Sequence, residues 1–190
     1  MTTTSPTLDR TPALHPLLAD RHSPRAFDAT AAVTADQVDL LLDAARWAPS
    51  ASNTRPWRFV AGRRGERAFD ALLAALVPSN QAWARDAAAL VLVAADMTDD
   101  EGTPRPWAVY DTGQAAGHLT AQATALGLAV RQMGGFLPDD LPALPEHVRP
   151  LVVIAVGLPL PLDAVPAEHP AHRVGARVRR PLEELLLDVA

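Results

Sequence analysis

The sequence predicts one domain in which helices and strands are mixed around a single sheet, an α+β or α/β fold. Segments with helical periodicity alternate along the chain with short apolar runs of strand length. The 190 residues, 48% of them hydrophobic, suffice for one ordinary domain with a sizeable core, and no internal repeat divides them. We therefore expect residues 1–12 to form a flexible tail and residues 13–190 to form a single domain.

The first elements are a short helix candidate at Ala13–Asp20 and a well-marked helix at Thr34–Arg46. The second helix begins with a capping box of Thr34 and Gln37, and its apolar side chains recur at helical spacing. A polar loop bounded by two prolines then leads into a short strand, which we predict at Trp57–Ala61.

The later elements are two helices and three strands. An amphipathic helix is predicted at Gly65–Leu76, and the apolar run Ala87–Ala95 has the length of a strand buried on both faces. The longest helix, Ala108–Leu126, is rich in small residues and ends at Gly127, a residue type typical of helix C-termini. The remaining predicted segments are two strands and a short amphipathic helix or strand: Leu128–Met133, Leu151–Gly157 and Pro181–Leu187.

Composition excludes several kinds of chemistry. The chain has no cysteine, which removes thiol nucleophiles, iron–sulfur clusters and cysteine-ligated zinc, and it has no lysine for a Schiff base or a P-loop. A formal net charge of −5 disfavours nucleic-acid binding. Residues 1–11 lack the apolar stretch of a signal peptide, and the apolar runs are too short to cross a membrane, so we expect a cytoplasmic protein.

Basic residues cluster at the two ends of the predicted domain, in Arg21–Arg25 and again in Arg173–Arg180. Guanidinium groups beside the Ser23 hydroxyl are suited to binding a phosphate, and one ligand could join both clusters. The alternative is that these arginines are solvated or paired with nearby carboxylates, which composition alone favours.

Three further segments carry functional candidates. The polar loop Ala48–Trp57 could line a pocket, although an ordinary connection between a helix and a strand is the simpler interpretation. The paired glycines Gly134 and Gly135 would allow a ligand to approach backbone amides, or they form a turn. His169 and His172 lie in a proline-rich stretch that we interpret as a surface loop, so no metal site is predicted.

In this order and spacing, the segments resemble the FMN-dependent nitroreductase family. The family's motifs are similar to five parts of this chain: Arg21-His22-Ser23-Pro24-Arg25-Ala26-Phe27, Ala44-Ala45-Arg46-Trp47-Ala48-Pro49-Ser50 through Pro56-Trp57, Asp111-Thr112-Gly113 through Ala125-Leu126-Gly127-Leu128, Gly134-Gly135-Phe136, and Arg177-Val178-Arg179-Arg180-Pro181. The match covers nearly the whole chain after residue 13. The resemblance implies an α+β nitroreductase-like fold, with a central, mostly antiparallel sheet flanked by helices, in an intertwined homodimer.

The resemblance also implies where FMN would bind. The phosphate would lie among Arg21, Ser23, Arg177 and Arg179, with the backbone of His22 beside the ribityl chain. Arg25 and Asn80 would face the pyrimidine ring, and Asn80 would lie just before the entry into a strand at Asp86–Val93. Three residues, Pro49, Ser50 and Asn53, would come from the partner subunit, and the amides of Gly134 and Gly135 would lie near flavin N5. Because the cofactor carries the chemistry, no residue is assigned as catalytic.

The function that the resemblance implies is that of an NAD(P)H-dependent flavin oxidoreductase. NADH or NADPH would reduce FMN, which would then reduce a nitroaromatic, quinone or similar electrophile by ping-pong hydride transfer. The alternatives are a specialised flavin enzyme of the same fold (a dehydrogenase, dehalogenase or flavin-cleaving enzyme) or a flavin-binding protein without turnover.

Three features depart from the family's pattern. Arg55 stands where the family usually has glutamine, which could alter the charge of the pocket or simply be exposed. The segment Asp96–Trp107 is short, so the lid of some relatives is missing and an open substrate pocket is expected. Trp83 stands near a position where some relatives have a cation, and it could stack on an aromatic substrate or fill a gap in the core.

Overall fold

The computed structural model describes residues 14–173, 175 and 177–187. The predicted tail at residues 1–12 therefore lies outside the described residues. Within them, the helices of four or more residues in the α conformation are α1 Pro16–Ala19, α2 Ala35–Arg46, α3 Arg67–Ala75, α4 Pro78–Ala84 and α5 Ala108–Ala125. The strands are β1 Trp57–Arg63, β2 Ala89–Asp96, β3 Ala129–Met133 and β4 Val148–Gly157.

The four described strands form one sheet in the order β1-β2-β4-β3, and every neighbouring pair is antiparallel. This arrangement agrees with the α+β fold that the family resemblance implied, and it excludes the α/β fold that the pattern of elements alone left open, because an α/β fold would need parallel strands joined by crossover helices. The fold is α+β, and the predicted antiparallel sheet flanked by helices is confirmed.

Helices cover both faces of the sheet. Helices α2 and α5 pack against each other and on one face, and α3 and α4 pack on the other. Strand β2 lies at the centre of this three-layer core and is buried along its whole length. Its side chains alternate between the layers, since Val91 and Val93 face α5 while Leu90 and Leu92 face α3.

The local signals in the sequence set the helix ends. Thr34 caps α2, with both hydrogen bonds of the predicted capping box to and from Gln37. Helix α5 ends at Ala125, and Gly127 takes the left-handed conformation (φ +72°) that glycine adopts without a steric penalty.

Two predicted elements differ from the structure. Helix α4 was not expected, because its seven residues are too few to show a helical periodicity. The segment Pro181–Leu187 forms a 3₁₀ turn at Leu182–Leu185, and its leucines are exposed, so it is neither the α-helix nor the strand that its pattern predicted. Strand β4 also begins three residues earlier than the apolar run, at Val148.

Candidate ligand-binding cleft

A cleft of about 530 Å³ opens between the residues that follow α1 and the segment that follows β4. Residues 21–26 form one wall, Arg131 of β3 contributes to it, and residues 160–162, 171, 175 and 177–179 complete the described lining. This volume lies within the range of small-molecule sites in proteins, which is roughly 300–1,000 Å³.

The charge of the cleft is strongly positive. Its charged lining residues are the arginines Arg21, Arg25, Arg131, Arg177 and Arg179, and the described lining contains no aspartate or glutamate. The Arg21 Nη1 atom donates a hydrogen bond of 3.0 Å to the Ser23 hydroxyl. Burial, and after it the like charges of Arg177 and Arg179, lower the pKa of Arg21. Positive charges held together in this way form a site for an anion such as a phosphate.

The two ends of the domain meet through Arg177. Its guanidinium donates to the carbonyl of Ala19 and, at 3.2 Å, to that of Leu18. These carbonyls belong to the end of α1, where a short helix leaves its acceptors unsatisfied. The contact fixes the C-terminal basic segment beside Arg21, so His22 and Ser23 share one cleft with Arg177 and Arg179.

Arg25 and Arg131 form a second basic group in the same cleft. The Arg25 Nε atom is buried and has no hydrogen-bond partner among the described residues. The Arg131 Nη1 atom donates to the Ser23 carbonyl at 2.6 Å, and burial, together with the charge of Arg25, lowers the pKa of Arg131. Sequence reasoning missed Arg131, although it is the one charged residue within the predicted strand Leu128–Met133.

Trp83 belongs to the core. Its side chain is 1% exposed and stacks on Phe27, with the ring centroids 6.2 Å apart. The Arg131 guanidinium lies 5.6 Å above the Trp83 ring centroid, at cation–π distance. Of the two interpretations that the sequence left open, the structure shows the packing role, because a ring that is buried and covered by Arg131 has no free face for a substrate.

Asn80 and Gly135 contact each other near the end of β3. Asn80 lies within α4, not just before the entry into a strand as predicted, and its Nδ2 atom donates to the Gly135 carbonyl at 3.0 Å. The same carbonyl accepts from the Val77 backbone at 3.1 Å. Gly134 is exposed, and neither it nor Gly135 nor Asn80 lines the cleft described above.

The polar loop Ala48–Trp57 lies apart from the cleft. Pro49, Ser50 and Asn53 do not line the cleft of their own chain. The loop is held at the start of α5, because the Asp111 carboxylate accepts from the Ala51 backbone at 3.0 Å and is itself only 2% exposed. Sequence reasoning did not assign Asp111 this role, since sixty residues separate it from its partner.

The backbone of this loop is unusual. Ser52, Asn53 and Arg55 all have left-handed φ angles, of 50°, 55° and 48°. The Ser50 hydroxyl accepts from the Arg55 backbone at 3.0 Å, and the Arg55 side chain donates to the Asn53 carbonyl at 3.0 Å. Arg55 is exposed, and the contacts of its guanidinium named here lie within the loop.

The described residues contain no group of three or more histidine, aspartate or glutamate side chains that could hold a metal ion. His169 and His172 therefore belong to no such group. Among the described helices, none combines the length and the apolar character needed to cross a bilayer.

The fold and the cleft together define an α+β protein with an arginine-lined cleft between the residues that follow α1 and the segment that follows β4. Comparison with known proteins gives the family. The model of the Nitroreductase family matches residues 18–158, and the chain belongs to that family.

Individual relatives agree with this assignment. A Methanothermobacter thermautotrophicus protein, named as a proposed NADH dehydrogenase/NAD(P)H nitroreductase, is 31% identical over 151 residues, which are 74% of this chain and 71% of the relative. A solved structure described as an oxidoreductase containing FMN is 31% identical in sequence and has a TM-score of 0.85. The match covers 98% of this chain and 97% of the chain in that structure. A proposed Desulfovibrio desulfuricans nitroreductase in complex with FMN is 28% identical, with a TM-score of 0.70 and coverages of 93% and 98%.

Proposed function

We propose that this protein is an FMN-dependent oxidoreductase that takes electrons from NADH or NADPH and reduces nitroaromatic, quinone or similar electrophilic substrates. The observation that carries the proposal is the cleft of five arginines without a carboxylate in its described lining. Membership of the Nitroreductase family gives the reaction class, and two similar solved structures contain FMN. The name of the Methanothermobacter relative supports a nicotinamide donor.

The residues of the cleft fit a phosphorylated flavin. Arg21, Arg177 and Arg179 provide the charge that a phosphate dianion requires, and the Ser23 hydroxyl, oriented by Arg21, accepts or donates one more hydrogen bond. His22 lies in the same wall, where its backbone can contact the ribityl chain. The cofactor, when bound, supplies the transfer of a hydride at N5, so the protein needs no acidic, basic or nucleophilic side chain for the reaction.

The pyrimidine end would lie toward Arg25 and α4. The buried Arg25 Nε atom without a described partner is a donor that a flavin carbonyl would satisfy. Asn80 is held by Gly135, next to the end of β3, so its amide and the Gly134 and Gly135 backbone form one group of polar atoms. None of these three residues lines the cleft, so the assignment of Asn80 to the pyrimidine ring and of the two glycine amides to N5 rests on the family resemblance.

A second subunit would complete the site. Pro49, Ser50 and Asn53 lie in a loop that Asp111 holds in a defined conformation, although the loop is remote from the cleft of its own chain. We assign these residues to the cofactor site of the partner in a homodimer. The exposed glycines Gly113 and Gly117, where a Cβ atom would meet nothing within 4 Å, provide a flat face of α5 for contact between subunits.

The substrate pocket would be open. The segment between β2 and α5 is only eleven residues long, residues 97–107, and a bridge between Thr98 and Pro104 folds it back on itself. A short segment of this kind cannot cover a large pocket. The short segment supports an open pocket, and with it a broad range of electrophiles over the dehalogenase alternative. We assign the protein to the cytoplasm and residues 13–190 to one domain.

The test begins with the visible absorption spectrum of the purified protein, repeated after anaerobic addition of NADPH or NADH. A flavin spectrum that bleaches with either nucleotide supports the proposal. A flavin spectrum that persists favours a specialised flavin enzyme or a protein without turnover. A colourless protein that takes up no added FMN refutes the cofactor assignment.

The variant Arg21→Ala tests the phosphate site directly. Loss of one charge-assisted contact should raise the dissociation constant of FMN about tenfold to a hundredfold, since such contacts contribute about 1.5–3 kcal/mol. Arg67→Ala is the matched control, because Arg67 is an exposed arginine at the start of α3 and outside the cleft. Equal FMN affinity in both variants would show that the phosphate site is misplaced.

A further inference from the structure

Arg131 is a cleft residue to which the proposed function gives no role. It projects from β3, and three groups surround its guanidinium: the Ser23 carbonyl at 2.6 Å, the Trp83 ring at 5.6 Å and the charge of Arg25. Trp83 is 1% exposed and stacked on Phe27, so the surface beneath Arg131 is part of the rigid core. The guanidinium therefore has a fixed position.

The five arginines of the cleft form two groups. Burial, and after it the charges of Arg177 and Arg179, lower the pKa of Arg21, whereas burial, and after it the charge of Arg25, lower the pKa of Arg131; all five side chains line the same cleft. Residues 21–25 connect the groups, with the Ser23 hydroxyl bonded to Arg21 and the Ser23 carbonyl bonded to Arg131. The hydrogen bond from Arg131 thus fixes the backbone that sets the spacing between the two groups.

The second group has no internal counterion. None of the ion pairs among the described residues includes Arg25 or Arg131, whereas other arginines of the chain pair with Asp43, Asp96 or Glu66. Two like charges that line one cleft repel each other, and an anionic or electron-rich group bound between them reduces that repulsion. A single phosphate bound at Arg21, Arg177 and Arg179 would leave this requirement unmet.

We propose that Arg131 is a positioning residue that places a second positive charge beside Arg25, so that the cleft binds a ligand with two electron-rich ends. One end is the phosphate, and the other is a ring system that gains negative charge when it is reduced. The inference rests on the proposed function, in which this ring is the pyrimidine part of FMN and the gained charge lies at N1 and the C2 carbonyl. Arg131 would then favour the charged form of the ring over the neutral oxidised form.

The experiment uses sulfite as a probe of this charge. Sulfite adds its electron pair to oxidised flavin at N5, and the resulting negative charge lies at N1 and the C2 carbonyl, as it does on reduction. The dissociation constant of sulfite is measured on the FMN-loaded protein from the loss of the visible flavin band, and that of oxidised FMN is measured separately. Thermal unfolding followed by circular dichroism verifies that each variant is folded.

The variants separate charge from shape. Arg131→Met retains an apolar contact with Trp83 and removes the charge, and Arg131→Gln is a second neutral variant. Arg131→Lys retains the charge without the planar fork. Arg46→Met is the matched control, because Arg46 also lies over a tryptophan ring, that of Trp47 at 6.0 Å, but it is outside the cleft.

We expect both neutral variants to raise the dissociation constant of sulfite about tenfold, which corresponds to about 1.4 kcal/mol. In the same two variants, the dissociation constant of oxidised FMN should rise no more than about threefold. This is a small fraction of the effect of losing a full ion pair. Arg131→Lys should remain within about threefold of the wild type for sulfite, and Arg46→Met should be unchanged.

The outcomes against the inference are distinct from those against the proposed function. If the wild type binds FMN and neutral Arg131 variants bind sulfite as tightly as it does, the inference is wrong. Equal losses in Arg131→Met and Arg131→Lys would show a structural role in place of an electrostatic one, and would also overturn it. A wild-type protein that binds no FMN overturns the proposed function and, with it, this inference.

Discussion

An added methyl group should destabilise the protein at Gly135 and have almost no effect at the adjacent Gly134. A Cβ atom at Gly135 would lie 2.9 Å from the Asn80 Nδ2 atom and 3.0 Å from the Val77 Cγ2 atom. A Cβ atom at Gly134 would meet nothing within 4 Å. Since both glycines carry a backbone that other residues can adopt, the difference depends on packing alone.

The backbone at Gly135 cannot move away from the added methyl group. The Gly135 carbonyl accepts from the Val77 backbone at 3.1 Å, and the next residue, Phe136, forms a bridge with Leu76. The Asn80 amide must move instead, and its hydrogen bond of 3.0 Å to the Gly135 carbonyl is lost. A lost hydrogen bond costs about 1 kcal/mol, and crowding adds about 1 kcal/mol, so Gly135→Ala should destabilise the protein by about 2 kcal/mol.

The assay is thermal unfolding of both variants without added FMN. For a chain of this size, about 2 kcal/mol corresponds to a decrease in Tm of about 4–8 °C, whereas Gly134→Ala should stay within about 1 °C of the wild type. Displacement of Asn80 should also weaken FMN binding about fivefold in Gly135→Ala, the effect of one hydrogen bond. Equal melting temperatures for the two variants would refute the packing argument at Gly135.

Three other perturbations test the packing and the electrostatics. Gly62→Ala places a Cβ atom 2.3 Å from a backbone nitrogen of α3. Unfolding in denaturant should show that the free energy of unfolding falls by about 2–4 kcal/mol. An unchanged denaturant concentration at the midpoint of unfolding would contradict this. Asp111→Ala removes the acceptor for the Ala51 backbone N–H, so limited proteolysis within the polar loop should become faster. The free energy of unfolding of the whole protein should fall by about 1–3 kcal/mol. Cleavage rates equal to those of the wild type would show that contacts other than this hydrogen bond hold the loop.

The last prediction of this group concerns pH. The hydroxyl of Thr30, followed by its backbone amide, donates to the Asp28 carboxylate and lowers its pKa. Because the folded-state pKa of Asp28 lies below its unfolded value, its contribution to stability is present above the unfolded value and is lost as the pH falls through the folded one. In an NMR titration, Thr30→Val should raise the pKa of Asp28, and an unchanged titration would contradict the assigned cause.

The elements that the sequence predicted well are those set by local chemistry. The capping box of Thr34 with Gln37 and the helix-ending Gly127 act within one turn of the chain, so the residues themselves carry the signal. The apolar run within Ala87–Ala95 gave the central strand for the same reason, because a strand buried on both faces needs apolar residues at every position. Helix α4 was missed, since it is too short for such a pattern.

The motifs also identified the family without any structure, and the family model matches residues 18–158, which contain all of them but the C-terminal basic one. The sequence could not decide between solvated and clustered arginines at the two ends of the domain. Composition favoured solvated arginines, and the structure places Arg21 and Arg177 in one cleft. That proximity depends on the packing of α1 against the C-terminal segment, which no local pattern describes.

The sequence by itself thus determined most element boundaries and the family, and the resemblance to that family also gave the expected α+β fold with an antiparallel sheet. The tertiary structure alone decided the order of the strands, that Trp83 is a core residue, that Arg131 belongs to the cleft and that Asp111 holds the polar loop. The physical reason is the range of the interactions. Caps, turns and periodicity involve neighbours within a few residues, whereas the contacts of Arg131 and Asp111 join residues 108 and 60 positions apart and exist only once the core has formed.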